Sequence, residues 1–345
     1  MKPAGAVKPR ILITGGTGFL GKWVVKQLCE WAEVDVITRR ENPPDGFVMG
    51  DLTRWNAGLD LEALGRRHYS LCLHMAGLYD LRATTEECCL HNTLATSTIL
   101  KVVEALGIPN FIQTSSVAAV INSPLSYVNE NDTFFDGAFP DAYSESKSQC
   151  ERILKSWLGP IEKRVNLRLG VLVGDSIEGS IERIDGPYFL AHTMANKKSL
   201  ISKLPFPLVV PGNPQRSLPV VPVDAAAKAI DLVARWILKP ESKSMTLHLT
   251  PRRGLTHRKL YESALKNLSI KNRGVKLVEI GRRGRVAELM ARALDLPKEE
   301  LFYFMNFPRY EVKSTLAVLP ADWCPEFEDY EKAFWRGYET FLSNS

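Results

Sequence analysis

Tyr143 and Lys147 are the two residues of this 345-residue chain whose types and spacing best suit acid–base chemistry. A spacing of four places a phenol and an ammonium group on one face of a helix. A free phenol has a pKa near 10, and a nearby cation lowers that pKa because it favours the phenolate. Tyr143 could then exchange a proton with a carbonyl oxygen near neutral pH.

Ser116 supplies a third polar group. It ends the segment 114–116, which follows the predicted strand Phe111–Gln113. Open α/β sheets bind ligands beyond the carboxyl ends of their strands, and a hydroxyl group there can hold the same carbonyl oxygen by a hydrogen bond. The pattern Tyr-x-x-x-Lys is weak by itself, because it occurs by chance in many proteins. It gains weight from the elements that precede it.

The first of these elements is the stretch from Arg10 to Lys22. Residues 11–14 are an apolar run typical of a buried strand, and the apolar periodicity after the glycines predicts a helix. Glycines spaced G-x-x-G-x-x-G between them are typical of a turn that binds a dinucleotide pyrophosphate at a helix N-terminus. The alternative is a structural glycine-rich turn. The predicted cofactor contacts here are Gly15, Thr17, Gly18, Phe19, Leu20 and Gly21.

The end of the second predicted strand, Val34–Thr38, indicates which dinucleotide binds. A unit that prefers NAD usually has an acidic residue there to bind the ribose 2′-hydroxyl, but this chain has Arg39 and Arg40. Two guanidinium groups suit a 2′-phosphate, so we expect NADP(H) rather than NAD(H). The alternative is a pair of solvated loop arginines. Asp51, after the third strand, could accept a hydrogen bond from the adenine amino group or cap the next segment.

The fourth predicted strand, Ser70–His74, is followed by small residues that leave room for a cofactor. We interpret His74 as a buried structural imidazole rather than a catalytic base. The next helix, Thr84–Leu106, opens with a capping box and contains Asn92, which we interpret as a strut that positions the site, because a buried mid-helix Asn needs hydrogen-bond partners. The other predicted cofactor contacts are Asp51, Leu52, Met75, Ala76, Gly77, Asn92, Thr114, Ser115, Tyr143, Lys147, Leu169, Gly170 and Val171.

Alternating strands and helices, which continue to a sixth strand at 165–170, predict an α/β fold. We expect a Rossmann-type doubly wound parallel sheet with a smaller, mainly helical C-terminal substrate-binding region. The predicted divisions are a flexible tail at 1–9, an NADP-binding Rossmann domain at 10–185 to which 216–250 return, and a substrate-binding region at 186–215 and 251–345.

These pieces together resemble the extended short-chain dehydrogenases/reductases, the superfamily of NAD(P)-dependent epimerases and dehydratases. The resemblance implies that Ser116, Tyr143 and Lys147 are the catalytic triad, with a slip of one to Ser115 as the alternative. Many relatives have Arg-Pro-Gly where this chain has Arg-Leu-Gly at 168–170. The similar pieces are TGGTGFLG at 14–21, GDL at 50–52, HMAG at 74–77, HNTLATSTIL at 91–100, TSS at 114–116 and YSESK at 143–147.

Further motifs resemble the thioester reductase and fatty acyl-CoA reductase branch: GDS at 174–176 followed by Gly179 and Asp185, and VVPVD at 220–224. The resemblance implies an NADP(H)-dependent reductase or dehydrogenase with Tyr143 as the proton donor. Its substrate would be an acyl thioester or aldehyde, free or bound to CoA or a carrier protein. The alternatives are a 3β-hydroxysteroid-dehydrogenase-like enzyme, a nucleotide-sugar epimerase or reductase, and a non-catalytic NADP-binding regulator. Residues 117–119 lack the extra acid–base pair that a dehydratase needs.

Three stretches of the second half could face a substrate or partner. Residues 203–214, rich in proline and apolar side chains, could form a pocket wall or an extended connector. Residues 326–343 predict an amphipathic aromatic helix that packs on the domain, with membrane-surface contact or a homodimer as alternatives. Residues 256–297 predict a basic helical segment that could dock the phosphates of CoA or a carrier or be a solvated face. Its basic residues are Lys271, Arg273, Lys276, Arg282, Arg283 and Arg285.

Composition excludes several other classes of protein. The net charge of +5 is too small to favour nucleic-acid binding. No uncharged apolar run reaches the length of about 18 residues that a membrane span needs, and the N-terminus lacks the apolar region of a signal peptide. The six cysteines show no zinc-ligand spacing, so we expect no metal site and reduced thiols of a cytoplasmic protein.

Overall fold

The computed structural model describes residues 8–279 and 298–344. Strands and helices alternate in its N-terminal half, as the sequence predicts. These elements are β1 (Arg10–Thr14), α1 (Phe19–Leu28), β2 (Glu33–Thr38), β3 (Phe47–Met49), α2 (Leu61–Gly65), β4 (Leu71–His74), α3 (Thr85–Cys88), a π-helical segment (Cys89–Leu94), α4 (Ala95–Ala105), β5 (Asn110–Ser116), β6 (Tyr127–Val128), α5 (Ala142–Ser156) and β7 (Lys163–Leu169).

The second half mixes helices with short strands. Its elements are β8 (Val171–Val173), α6 (Pro187–Asn196), α7 (Lys198–Ser202), β9 (Leu208–Pro211), β10 (Ser217–Leu218), β11 (Val220–Pro222), α8 (Val223–Ile237), β12 (Met245–Leu249), β13 (Leu255–Thr256), α9 (His257–Asn267), β14 (Val275–Val278), α10 (Lys298–Asn306), β15 (Arg309–Tyr310), α11 (Lys313–Val318) and α12 (Phe327–Asn344).

Seven parallel strands form the central sheet, in the order β12-β7-β5-β4-β1-β2-β3. This is the doubly wound Rossmann arrangement that the sequence predicts, with β12, from the returning segment 216–250, at one edge. Ile11, Leu12 and Ile13 of β1 have no exposed surface, because helices cover both faces of a parallel sheet. The strand order reverses between β1 and β4, so the loops after these two strands diverge and leave a crevice at their carboxyl ends.

Helix α8 returns the chain to this sheet from the second half. Its buried face is rich in alanine, and it packs against α1 in one apolar cluster that also includes side chains of β1, β7 and β12. Small side chains let two helices approach closely. The first βαβ unit is therefore held in place by residues that follow it by about two hundred positions.

The basic segment predicted at 256–297 is not helical throughout. In its described part, α9 ends at Asn267 and the chain then continues as the strand β14, which contains Lys276 and pairs in parallel with β9. The stretch 203–214 contains β9, so part of it is paired strand. Arg282, Arg283 and Arg285, like residues 1–7 of the predicted tail, lie outside the described residues.

Helix α12 packs its aromatic face onto the rest of the protein. This agrees with the interpretation of residues 326–343 as an amphipathic helix that packs on the domain. The ring of Phe334 stacks on Tyr188 of α6 with centroids 4.3 Å apart. Tyr330, Trp335 and Tyr338 are each no more than 3 % exposed. Among the described residues, no helix is both long enough and apolar enough to cross a membrane.

Candidate active site

A cavity of about 610 Å³ lies where the loops after β1, β4, β5 and β7 meet. This is the crevice at the strand-order reversal, where doubly wound folds bind their ligands. Most of the residues predicted from the sequence line it: Gly15, Gly18, Phe19, Leu20, Gly21, Met75, Gly77, Thr114, Ser115, Ser116, Tyr143, Lys147, Leu169, Gly170 and Val171. The other predicted residues, Thr17, Arg39, Arg40, Asp51, Leu52, Ala76 and Asn92, are not part of its lining.

The glycine-rich turn packs so closely against neighbouring backbone that side chains do not fit at two of its positions. Gly15 has a φ of +73°, and a Cβ there would lie 2.5 Å from the amide nitrogen of Ala76. A Cβ at Gly21 would overlap the carbonyl oxygen of Gly15. Gly18 is the N-cap of α1 and offers no side-chain hydrogen bond, so the first amides of the helix remain available to an anion.

Helix α5 carries Tyr143 and Lys147 into the cavity. Its N-cap, Asp141, accepts a hydrogen bond of 2.8 Å from the amide of Ser144, which sets where the first turn begins. Tyr143 is buried. Lys147 Nζ lies 6.0 Å from the centre of the Tyr143 ring and donates to the carbonyl oxygen of Thr114 at 3.4 Å. The predicted spacing therefore does place both side chains on one face.

Two adjacent serines at the end of β5 point to different partners. Ser115 donates a hydrogen bond of 2.6 Å to Glu151 Oε1 in the protein interior. Ser116 is half-buried, and its hydroxyl interacts with the phenol of Tyr143. Alternation along a strand sends successive side chains to opposite faces, so the structure brings Ser116, and not Ser115, to Tyr143.

The pKa of Tyr143 departs from expectation. Burial raises it above its ordinary value, and the hydrogen bond from Ser116 only partly opposes the increase. Burial also lowers the pKa of Lys147. The expected lowering of the tyrosine pKa is wrong for the chain by itself, because desolvation penalises both charged forms. Tyr143 is therefore a neutral phenol that has a proton to donate.

His74 is the structural imidazole that the sequence indicates. Its Nδ1 lies 2.7 Å from Thr14 Oγ1 and its Nε2 lies 3.3 Å from Thr96 Oγ1. Burial, together with the charge of Lys147, lowers the pKa of His74 to about 3. The ring is thus neutral, and it links β1 and β4 to α4 below the cavity.

Asn92 lies in the π-helical segment and is 1 % exposed. Its Oδ1 accepts from the amide of Leu78 at 2.7 Å. Its Nδ2 donates to the Leu78 carbonyl at 3.1 Å and to Ser146 Oγ at 2.9 Å. These bonds tie the loop after β4 to α5, as expected of a strut, and π-helical segments often occur at functional sites.

Arg39 and Arg40 are exposed at the carboxyl end of β2. Asp51 accepts hydrogen bonds from the amide and hydroxyl of Thr53, at 3.0 and 2.8 Å. Burial alone would raise the pKa of Asp51, but these bonds and the charges of Arg39 and Arg54 lower it. Asp51 is not the N-cap of the next segment, because Arg54 is the N-cap of the 3-10 helix Trp55–Gly58 and Asp60 is that of α2.

Three other predicted contacts occupy different environments. Leu52 is 9 % exposed and belongs to an apolar cluster beside the sheet. Ala76 donates its amide to Thr14 Oγ1 at 3.1 Å. Thr17 is exposed. Leu52 and Ala76 thus shape the loops around the cavity, whereas Thr17 lies at the outer side of the glycine-rich turn.

The opposite wall of the cavity contains polar residues that the sequence did not reveal. Tyr79 lies edge-on to Tyr143 with centroids 5.1 Å apart, and the guanidinium group of Arg183 lies 4.5 Å from the Tyr79 ring centre. Arg183 Nε donates to Asp185 Oδ2 at 2.7 Å. Glu300 of α10 lines the same wall. Asp185 belongs to a recognised motif, but no sequence pattern connects it with Tyr79 or Glu300.

Glu300 has an unusual environment for a carboxyl group. Burial raises its pKa to about 7, and the charge of Asp185 adds to the increase, while Arg183 opposes it. Burial also raises the pKa of Asp185. Leu218, Val220, Phe304 and Phe307 also line the cavity, so its substrate side combines an apolar surface with an acidic pair. No residue of 203–214 is part of this lining.

Known proteins share parts of this chain. A 3β-hydroxysteroid dehydrogenase/Δ5→4-isomerase of Monkeypox virus is 29% identical over 157 residues, which are 41% of this chain and 44% of that protein. The corresponding protein of Vaccinia virus (strain Western Reserve) matches equally well. The chain therefore matches less than half the length of these curated relatives.

Solved structures share its fold over almost the whole length. The terminal R domain from the myxalamid PKS-NRPS biosynthetic pathway has a TM-score of 0.75 at 18% identity, covering 99% of this chain and 92% of that one. The UDP-Glc/GlcNAc 4-epimerase of Campylobacter jejuni has a TM-score of 0.65 at 17% identity, covering 97% and 99%. At such identities the likeness concerns the fold.

A family profile settles the relationship that the fold suggests. It matches residues 11–244, from the first residues of β1 to the loop before β12, which is well over half of the chain. The match includes the glycine-rich turn, Ser116, Tyr143 and Lys147. The chain belongs to the NAD dependent epimerase/dehydratase family, the extended short-chain dehydrogenases/reductases.

Proposed function

We propose that this protein is an NADP(H)-dependent oxidoreductase that reduces a carbonyl group, or oxidises the corresponding alcohol, with Tyr143 as the proton donor or acceptor. One observation carries the proposal. The neutral phenol of Tyr143 lies in a cavity beside Ser116 and Lys147, and the glycine-rich turn lines the same cavity.

The cavity fits a dinucleotide because several of its residues are too small to fill it. A Cβ at Gly77 would lie 2.9 Å from Asn92 Oδ1 and 3.2 Å from Lys147 Nζ, so a larger residue there would press on two side chains of the site. The turn at Gly15 and Gly18 would hold a pyrophosphate on the free amides of α1. Lys147 would hold the nicotinamide ribose. When bound, the dinucleotide supplies or accepts the hydride.

The preference for NADP(H) over NAD(H) rests on Arg39 and Arg40. Both are exposed at the end of β2, where an approaching 2′-phosphate would meet two guanidinium groups. Guanidinium pairs suit phosphate because each presents several donors in a fixed plane. The charge of Arg39 also acts on Asp51, and both arginines would contribute to the attraction.

The chemistry at the substrate follows from the three polar side chains. Ser116 donates a hydrogen bond to the carbonyl oxygen and holds it beside Tyr143. Tyr143 gives its phenolic proton to that oxygen as negative charge develops there. The ammonium group of Lys147, 6.0 Å from the ring centre, stabilises the phenolate that remains. Preorganised donors of this kind need no reorganisation during the reaction.

We propose an acyl thioester or the aldehyde derived from it as the substrate. The apolar residues Leu218, Val220, Phe304 and Phe307 would accommodate an acyl chain. Asp185 and Glu300 line the substrate side of the cavity, where carboxylates would disfavour the diphosphate of a nucleotide sugar. The phosphates of CoA or of a carrier would remain outside. The resemblance of GDS at 174–176 and VVPVD at 220–224 to the thioester reductase branch supports the same choice.

A steroid substrate is the second candidate. It is favoured by the 29% identity to the viral 3β-hydroxysteroid dehydrogenase/Δ5→4-isomerases. An apolar cavity with hydroxyl-binding groups would also suit a sterol. Turnover measured with a panel of acyl-CoAs, long-chain aldehydes and a 3-oxosteroid distinguishes the two substrates.

We further propose that the enzyme is cytoplasmic, because all six cysteines are unpaired. We also propose that it could form a homodimer, which light scattering would test.

The first experiment compares the wild type with Tyr143→Phe on that panel, following the absorbance of NADPH. We expect turnover to fall by roughly 10²–10⁴-fold, the usual contribution of a positioned acid. NADPH binding, measured by calorimetry, should change little and should exceed NADH binding in both proteins. Tyr330→Phe, the same change at a tyrosine that does not line the cavity, should leave turnover intact. Undiminished turnover in Tyr143→Phe would refute the proton-donor role.

A further inference from the structure

A second cleft, of about 370 Å³, lies outside the active site. Of the described residues that line it, four are arginines and none is an aspartate or glutamate: Arg216, Arg252, Arg253 and Arg309. The other polar side chains of the lining are hydroxyl or amide groups. Its volume falls within the range of small-ligand pockets, which is about 300–1,000 Å³. We call it the arginine cleft.

The arginines lie in paired strands or directly beside them. Arg309 of β15 pairs with Tyr127 of β6. Arg252 and Arg253 lie in the turn before β13, whose Thr256 pairs with Ser217 of β10. A Cβ at the intervening Gly254 would overlap Ser217 Oγ. The turn is therefore packed directly against β10, which places both guanidinium groups at the same cleft.

Three of the four arginines give the cleft an excess of positive charge. In residues 8–279 and 298–344, no carboxylate forms an ion pair with Arg252, Arg253 or Arg309. Arg216 donates from Nη1 to the carbonyl oxygens of Asn306 and Phe307, both at 2.9 Å. Because Arg252, Arg253 and Arg309 have no carboxylate partner among the described residues, the cleft has a positive potential.

Thr250 gives an independent indication that a ligand belongs here. It lines the cleft and is 2 % exposed, and its Oγ1 has no hydrogen-bond partner among the described residues. Buried hydroxyl groups are nearly always hydrogen bonded, because leaving one unpaired costs stability. A ligand oxygen in the cleft would supply the missing partner.

The arginine cleft and the active-site cavity share one wall. Ser217 and Pro219 line the cleft, whereas Leu218 and Val220 line the cavity. Extended chain presents alternate residues to opposite sides, which explains the division. Residues 217–220 therefore form a wall that the two sites have in common.

We propose that the arginine cleft binds the phosphate group of a small organic phosphate. Guanidinium groups bind phosphate oxygens by paired, charge-assisted hydrogen bonds, and hydroxyl groups such as that of Thr250 complete the set. The site goes beyond the proposed function, because it does not depend on reduction of any carbonyl. The phosphate could be part of the substrate's own carrier or a separate metabolite.

The test is calorimetric titration of the full chain with pyrophosphate, adenosine 3′,5′-bisphosphate and CoA, with and without saturating NADP⁺. We expect the phosphate compounds to bind equally well in the presence of NADP⁺. Arg252→Ala and Arg309→Ala should each weaken this binding by roughly tenfold. Thr250→Val, which keeps the shape and removes the hydroxyl, should weaken it several-fold. Arg66→Ala changes an exposed arginine paired with Glu62 and should have no effect.

Tighter binding of CoA than of pyrophosphate would identify the phosphate as part of the substrate's carrier, and equal binding would indicate a separate ligand; both support the site. Three results would overturn it. The first is binding that NADP⁺ abolishes. The second is binding that substitution of the cleft arginines does not weaken. The third is binding of inorganic sulfate, titrated in the same way, that is as tight as binding of pyrophosphate. The titration without NADP⁺ tests the arginine cleft whether or not the protein binds NADP⁺. Failure of this site is therefore distinguishable from failure of the cofactor proposal.

Discussion

At the scale of single residues, Glu300 is a cavity side chain whose ionisation depends on its burial and on the charges around it. Burial and the charges of Asp185 and Asp141 raise its pKa to about 7, while Arg183 and Arg82 oppose the increase. The ordinary value is 4.5. Near neutral pH, the substrate side of the cavity can therefore gain or lose a negative charge.

This pKa predicts how the free energy of unfolding depends on pH. Between pH 4.5 and about 7 the folded protein retains a proton on Glu300 that the unfolded chain has lost. The free energy of unfolding should therefore decrease as the pH rises through this interval. Glu300→Gln should show a smaller decrease in urea unfolding experiments across it. Glu62→Gln, a change at an exposed carboxylate, should behave like the wild type. Identical pH profiles for Glu300→Gln and wild type would contradict the assignment.

At the scale of elements, helix α5 determines where Tyr143 and Lys147 lie. A buried ion pair anchors it to β7, with Arg168 Nη2 2.7 Å from Glu151 Oε2. Arg168 has no exposed surface and also donates to the carbonyl oxygen of Asp132. Burial would raise the pKa of Glu151, but Arg168 and the hydrogen bond from Ser115 lower it. The serine beside the catalytic one thus helps to fix the catalytic helix.

Glu151→Leu should destabilise the protein by roughly 3–5 kcal/mol, because it leaves Arg168 buried without its partner. Equilibrium unfolding in urea measures the change. Glu62→Leu removes one partner of an exposed pair on α2 and should cost under about 1 kcal/mol. If both variants lose the same amount, the buried pair is not the anchor of α5.

At the scale of the whole molecule, the second half completes the cavity that the Rossmann sheet begins. Its last helix, α12, touches the loop after β8 backbone to backbone. A Cβ at Gly337 would overlap the carbonyl oxygen of Gly179. The same loop leads to Arg183 and Asp185, so the packing of α12 influences the far wall of the active site.

Gly337→Ala should therefore lower the free energy of unfolding by about 1–3 kcal/mol, as overpacking usually does. Gly65→Ala is the matched control. A Cβ at Gly65 in α2 would lie 4.0 Å from the nearest atom, Leu106 Cδ2, so alanine should be neutral or stabilise by up to about 1 kcal/mol. A neutral Gly337→Ala would show that α12 can move away without cost.

The sequence predicted the parallel sheet and its flanking helices because local patterns determine them. The apolar run of β1, the capping box at Thr84 and the N-cap Asp141 each depend on neighbouring residues. The spacing of Tyr143 and Lys147 likewise needs only helical geometry. The roles of Ser116, Tyr143 and Lys147 stay predictions, although the structure brings all three to one cavity.

What the sequence could not determine depends on contacts between distant residues. Desolvation of Tyr143 needs the whole cavity around it, so the direction of its pKa shift emerged only from the tertiary structure. Tyr79, Arg183 and Glu300 meet across more than two hundred positions, as do the four arginines and Thr250 of the arginine cleft across nearly one hundred. Periodicity and turn chemistry act over a few residues, whereas burial and charge act through space. The sequence therefore predicts the turn and the catalytic helix, and the folded chain decides what surrounds them.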